Sequence, residues 1–296
     1  EAYNVAVGKD AGLSVSTGIR NTLIGGFAGD SITTGMHNVA LGHAALETEV
    51  TGNFSTAIGY GALRSQNTSA NNYNTAVGYN AGSLTTTGVD SVLIGGLAGD
   101  ALTTGSGNVA IGKNALGEET TGGSNVAIGK DAMSSSELSQ HNVAIGEAAL
   151  QNVTQGSLKN TYNIGIGYQA GNDITTGEKN ILIGGIAGDA LTTGENNVAI
   201  GYDALSTEDT GSNSTAVGYR ALKAQNAASL SNTAIGKDAG LSLISASQCV
   251  FVGAVAGDAI TTGGNNTAIG VSALGAEDEG TGNTAVGTNA LILQDG

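Results

Sequence analysis

The side chains able to do chemistry are few, and most of them share one place in a repeating pattern. Tyr60, Tyr79, Tyr168, Tyr202 and Tyr219 each follow a glycine, and so do Lys9, Lys113, Lys130 and Lys237. They account for five of the 8 tyrosines and four of the seven lysines, in a chain with 10 basic residues against 25 acidic ones. Amphipathic rings beside ammonium groups suit a glycan or a polyanionic surface ligand. The same column also suits a stacked aromatic ladder that stabilises a sheet edge, and both readings stand at this point.

The remaining candidates carry less. His37, His43 and His141 are too few and too scattered for a zinc site. The stretch Gly95-Gly-Leu-Ala-Gly-Asp100-Ala-Leu102 resembles a calcium-binding nonapeptide. That motif needs an aspartate from each successive turn, whereas Asp30, Asp100, Asp189 and Asp258 lie far apart in sequence. A polar turn residue is the better reading of each. Gly165-Ile-Gly167-Tyr-Gln-Ala170 matches a dinucleotide fingerprint in letters but lacks the strand–turn–helix context that the chemistry requires. The acidic pairs Glu118-Glu119 and Glu277-Asp278 are expected in outer turns as solvated charge. No nucleophile–base constellation is recognisable. The expectation is no enzyme, no metal and no cofactor.

The elements that must position the Tyr/Lys column are set by an internal repeat. The phrase Asn4-Val-Ala-Val-Gly8 returns as Asn21–Gly25, Asn108–Gly112 and Asn283–Gly287. With its first residue as coil position 1, coils begin at 4, 21, 38, 55, 74, 91, 108, 125, 142, 163, 180, 197, 214, 232, 249, 266 and 283, and thirteen of the sixteen spacings are 17. Position 5 is glycine and position 8 alanine in all seventeen coils, and position 4 is always Val, Ile or Leu. Position 1 is Asn except at Ser55, Ser91, Ser214 and Cys249. Residues 1–4 suit a short strand, the glycine a turn that excludes a Cβ, the alanine a second strand close to the first, and a recurrent Thr-Gly such as Thr33-Thr34-Gly35 a second turn. Such a unit buries nothing alone. Stacked at about 4.8 Å per coil, seventeen units would make a rod of roughly 80 Å.

The fold expected is therefore all-β, a parallel β-solenoid of about 17 coils of 17 residues, forming a single repeat domain over residues 1–296. Coils carrying Leu-Ile-Gly-Gly-x-Ala-Gly-Asp, at Leu23–Asp30, Leu93–Asp100 and Leu182–Asp189, with Phe251–Asp258 as a degenerate copy, divide it into blocks 4–73, 74–162, 163–231 and 232–296. Three over-long coils are expected to bulge outward at 66–73, 156–162 and 224–231. Where position 3 grows to Leu23, Leu93, Leu182 or Phe251, position 6 shrinks to Gly26, Gly96, Gly185 or Ala254. That reads as volume conservation between the two.

Composition fits. There are 49 glycines, no proline and no tryptophan. Proline would remove donors from a hydrogen-bonded ladder, and glycine at this density would cost about 1 kcal/mol each in a helix. A net charge of -15 argues against nucleic acid. No apolar run is long enough to span a bilayer, so this segment is not expected to insert into a membrane. A lone cysteine, Cys249, offers no disulfide framework.

Asn-Val-Ala-Ile-Gly-x-x-Ala, as in Asn108–Ala115, Asn125–Ala132 and Asn197–Ala204, resembles the head repeats of YadA-like trimeric autotransporter adhesins. It looks equally like the repeats of bacterial and phage tail-fibre-like proteins. The adhesin head repeat is shorter, near fourteen residues, so these coils carry a longer outer turn. The resemblance implies a left-handed β-roll and a homotrimer. It also implies an extracellular, cell-surface or virion setting, and a rigid surface-adhesion or receptor-binding role toward a host-surface glycan or protein receptor. The alternative is a self-assembling structural filament or spacer, since the chain opens inside a coil at Glu1-Ala2-Tyr3 and stops at Gly296 without a recognisable cap. A third reading, an ice-binding solenoid, rests on the column Thr17, Thr34, Thr51, Thr87, Thr104 and Thr121, which breaks at Leu138, Gln155 and Ala227.

Overall fold

Each coil contributes one three-residue strand, drawn from positions 2–4, and within each compact unit every such strand pairs in parallel with that of the next coil. The structure, a computed structural model, describes residues 2–227, 231–276 and 279–293. Seventeen such strands mark about sixteen turns of a parallel β-solenoid, and no helix occurs among the described residues. Among the described residues no helix is long and apolar enough to cross a membrane. Two compact units divide the chain, Glu1–Ile145 with Thr154–Asn160, and Gly146–Val153 with Thr161–Gly296. The first stacks strands from Val5–Val7 to Val143–Ile145, and the second from Ile164–Ile166 to Thr284–Val286. Register is residue for residue, as in Val5↔Thr22, Ala6↔Leu23 and Val7↔Ile24.

The second strand expected at the position-8 alanine of each coil is absent among the described residues. In its place runs a chain of tight turns, with Ala11 N–H donating to Gly8 O, Leu13 to Asp10 O and Val15 to Gly12 O. Positions 7 and 9 are left-handed, for example Asp10 at φ 58° and Gly12 at φ 61°. A strand cannot hold that backbone. Alternate amides still reach the next coil, as Gly12 N–H to Ala28 O and Ser14 N–H to Asp30 O, both 2.9 Å.

Asparagine at position 1 is a buried two-way clamp. Asn21 Nδ2 donates to Gly35 O of its own coil at 2.9 Å, closing the loop. Its Oδ1 accepts the amide of Asn38 in the next coil at 3.0 Å. At Ser55 and Ser214 a glutamine supplies the lost amide, whereas Ser91 itself accepts the next coil's amide, that of Asn108, on Oγ at 3.2 Å. Gln66 Nε2 donates to Ser55 Oγ at 2.7 Å, and Gln66 Oε1 accepts from Asn74 Nδ2 at 2.8 Å. Gln225 repeats both bonds with Ser214 and Asn232.

Volume is conserved inside the coil, but between positions 3 and 9 and not 3 and 6. Position 3 points inward, whereas position 6 lies on the outside. A Cβ on Gly12 would meet Leu23 Cδ1 at 2.7 Å, and one on Gly29 would meet Leu23 Cδ2 at 2.8 Å. Leu23 therefore occupies what two position-9 side chains would fill. Away from these bulky position-3 residues position 9 is filled, as by Leu46, Leu63, Leu116 and Met133, all fully buried and all left-handed. The backbone cost of about 1–2 kcal/mol is offset by roughly 1.5–3 kcal/mol of side-chain burial.

Glu119 is not solvated charge. It is fully buried, as are Glu49 and Glu208 at the same coil position. Glu119 Oε1 accepts the amides of Thr120, Thr121, Gly122 and Leu138, while Oε2 accepts the amide and hydroxyl of Ser139. Its neighbour Glu118 is exposed, and Glu277-Asp278 lie outside the described residues. Glu49 likewise takes Gln66 Nε2 and Asn72 Nδ2 on Oε2. The first over-long coil accordingly turns Gln66, Thr68 and Asn72 inward and leaves Asn67, 69–71 and Tyr73 outside. The second does run outward, as the strand Thr154–Asn160 paired in parallel with Glu137–Gln140. The third bulge lies partly outside the described residues, at 228–230.

Glu119→Val strands five amides, of which those of Gly122 and Ser139 are buried. It should cost more than about 3 kcal/mol in a denaturant melt, while Glu118→Val should change stability by less than about 0.5 kcal/mol.

Candidate functional site

Alternation along the strand places positions 2 and 4 outside, and the glycine at position 5 turns the chain so that position 6 projects at the strand's edge. A Cβ on Gly112 would stand 2.4 Å from Gly129 O of the next coil, and Gly112 has φ 135°, so only glycine makes this corner. The five column tyrosines are all exposed. Where rungs are consecutive their rings stack along the solenoid axis. Tyr60 and Tyr79 have centroids 5.5 Å apart at 15°, and Tyr202 and Tyr219 6.0 Å apart at 13°. His43 extends the first stack, 5.3 Å from Tyr60 at 8°. Tyr168 is separated from Tyr202 by Gly185, whose Cβ position lies 3.3 Å from the Tyr202 ring. A stacked ring presents its edge and hydroxyl outward and gives its faces to its neighbours, so the ladder interior offers no flat platform.

The column lysines differ among themselves. Lys9, Lys130 and Lys237 each precede an aspartate and pair with it, at 3.7 Å to Asp10, 2.9 Å to Asp131 and 3.4 Å to Asp238. Asp131 is held below the usual carboxylate range, first by its hydrogen bond with Lys130. Lys113 is followed by Asn114, and among the described residues it makes no ion pair. Arg220 lies 5.1 Å from the Tyr219 ring centroid and donates to Asp238 at 2.8 Å. That bond is the main reason the Asp238 carboxyl titrates low.

A second ring ladder borders the other edge of the strand, at the last residue of each coil, and it was not among the candidates read from the sequence. His37 and Phe54 stack at 5.1 Å and 12°, and Phe54 and Tyr73 at 5.3 Å and 7°. All three are left-handed. The signal was present, since His37, Phe54 and Tyr73 end consecutive coils, but the unequal coil length at 55–73 hides the column. His141, at the same position, pairs through Nδ1 with Asn160 Oδ1 at 3.1 Å.

Asp30, Asp100, Asp189 and Asp258 sit at position 10, half-buried, and do not share a site. Among the described residues, no three His, Cys, Asp or Glu side chains come together to hold a metal. Burial pushes the carboxyls of Asp100 and Asp258 upward, and that of Asp189 up to about 6, with Asp203 and Asp173 adding repulsion. Asp189 Oδ1 is buried without a hydrogen-bond partner. Cys249 is buried at position 1, where its amide donates to Asn232 Oδ1 at 2.9 Å, and burial raises its thiol.

No protein-family model matches the chain, and no curated protein matches it.

Two outcomes follow. Replacing Tyr202 and Tyr219 singly and together by Ser should give a coupling of about 0.5–1.5 kcal/mol in a double-mutant cycle of melting. Asp189 binds its proton more tightly folded than unfolded, so its contribution is fully present below about pH 4 and lost as pH rises through about 6. Asp189→Asn should therefore raise the melting temperature at pH 7.5, and the gain should vanish at pH 4.

Proposed function

We propose that the chain is a segment of an extracellular, cell-surface or virion fibre, a left-handed β-roll that associates in parallel with copies of itself as a homotrimer. On this reading it is a rigid surface-adhesion or receptor-binding element whose ring-bearing edges meet a host-surface glycan or protein receptor. The observation that carries the reading is the outward face of the strands. Positions 2 and 4 form two parallel columns of Val, Ile, Leu and Thr, and large apolar residues stay open on them, among them Leu41 at 41% and Ile94 at 37% in the first unit. Monomeric proteins rarely leave a contiguous apolar face of this kind uncovered. Its regular register offers a self-complementary surface, and burying it is worth about 25 cal/mol per Å². The columns at positions 6 and 17 flank this face in sequence, so association that covers positions 2 and 4 leaves edge rings for a ligand.

A structural filament or spacer would use the same apolar face and bind no receptor. Light scattering of the purified chain should give a mass of three chains. Leu41→Glu combined with Ile94→Glu should reduce it to one chain while the β-type circular dichroism is kept. A wild-type chain that is folded and monomeric at micromolar concentration would refute the assembly. Failure of the assembled chain to adhere to any host surface would leave the filament.

A further inference from the structure

Disulfides cannot brace this chain, whose one cysteine, Cys249, is buried. A different oxidisable side chain stands where it can tie coils together. Of the 8 tyrosines, only Tyr60 with Tyr79, and Tyr202 with Tyr219, occupy neighbouring rungs of one column. Tyr168 has Glu147 before it and Gly185 after it at position 6. Tyr3, Tyr73 and Tyr162 end their coils, and the adjoining coils end in Arg20, Phe54, Asp90, His141 or Lys179.

Both pairs are stacked, at 5.5 Å and 15° for Tyr60 and Tyr79 and at 6.0 Å and 13° for Tyr202 and Tyr219. All four rings are exposed. Each pair lies within one compact unit, so its two rungs are bonded neighbours. Beneath the first pair Thr56 is in register with Thr75 and Ile58 with Val77, and beneath the second Val198 with Thr215 and Ile200 with Val217. The backbone thus holds each phenol permanently beside another, and holding two reactants together replaces a bimolecular encounter with an intramolecular one. Exposed side chains turn on the ps–ns scale. Rings that start this close need only a small rotation to bring together one ortho carbon (Cε) of each.

We infer that Tyr60–Tyr79 and Tyr202–Tyr219 are sites of oxidative cross-linking, each pair forming a dityrosine that staples one coil to the next. The oxidant is of the class of a haem peroxidase with hydrogen peroxide. Each phenol gives up one electron and its hydroxyl proton, which leaves a radical shared between the oxygen and the ortho carbons. The two radicals pair to form one Cε–Cε bond. The hydrogen on each bonded carbon then leaves as a proton and each oxygen takes one up, which restores both phenols. The two electrons and two protons released in all reduce one hydrogen peroxide to two waters. The inference does not rest on the receptor or trimer reading, since it needs only a folded chain and leaves positions 2 and 4 untouched.

The test treats the full chain with a haem peroxidase and hydrogen peroxide and reads dityrosine fluorescence, denaturing gels and peptide mass spectrometry. Both pairs should lose two hydrogens while the chain keeps the mobility of a single chain. The bonded protein should melt roughly 5 °C higher or more, because each bond closes a short loop of the unfolded chain. Tyr79→Phe and Tyr219→Phe keep a ring in the stack, so both should fold, and each should remove its own cross-link and spare the other. Tyr168 supplies the control, since it is as exposed as Tyr202, each at 55%, but has no tyrosine beside it on the column. No dityrosine at either pair overturns the inference. So does dityrosine that chiefly joins separate chains, or that includes Tyr168 as often as Tyr202. A bonded chain that melts no higher than the unbonded one overturns the staple.

Discussion

The asparagine at position 1 is the interaction on which the coil depends. A loop of this length has too little apolar interior to close itself, and its turn carbonyls would face a dry core unpaired. One planar amide solves both problems, with Nδ2 tying the start of the coil to the Thr-Gly turn and Oδ1 holding the next coil's amide, as at Asn38 with Gly52 O and Ser55 N. Leaving either group unpaired would cost about 1–3 kcal/mol. Two of the exceptions obey the same requirement. Ser55 and Ser214 lack the amide, and Gln66 and Gln225 reach in from position 12 to replace it.

Once the clamp sets one coil directly on the next, the other constant positions follow. The corner glycines stack so closely that a Cβ on Gly25 would meet Gly42 O at 2.4 Å. Position 8 has room for a methyl group and no more. The interior then has a fixed volume per coil, which Leu23 can fill once for two coils or position-9 leucines can fill one at a time. Buried polar groups obey the same economy, since Glu49 and Glu119 enter the core only where several amides converge on them.

Outside, the register that satisfies the core also aligns whatever the sequence places on each column. Rings on consecutive rungs must stack, because the rise per coil is close to aromatic contact distance. Ladders are thus a by-product of the core.

How much of this was legible beforehand depends on whether a property belongs to one residue or to a meeting of residues. The 17-residue period, the glycine corner, the parallel stacking and the Tyr/Lys column all follow from residues that recur at fixed spacing, and spacing is what a sequence records directly. The single strand per coil was not legible, because Leu46 and Met133 look like strand residues and only the closed loop forces them into left-handed turns. Glu119 read as surface charge because a carboxylate is normally solvated. Its burial comes from amides of two different coils converging on it, Gly122 and Leu138 among them. The exchange of volume between positions 3 and 9, and the ladder through His37, Phe54 and Tyr73, likewise exist only once coils of unequal length are stacked in space. Sequence determined what repeats; the tertiary structure decided which side chains face inward and which neighbour each one meets, since both are set by closure of the coil and not by order along the chain.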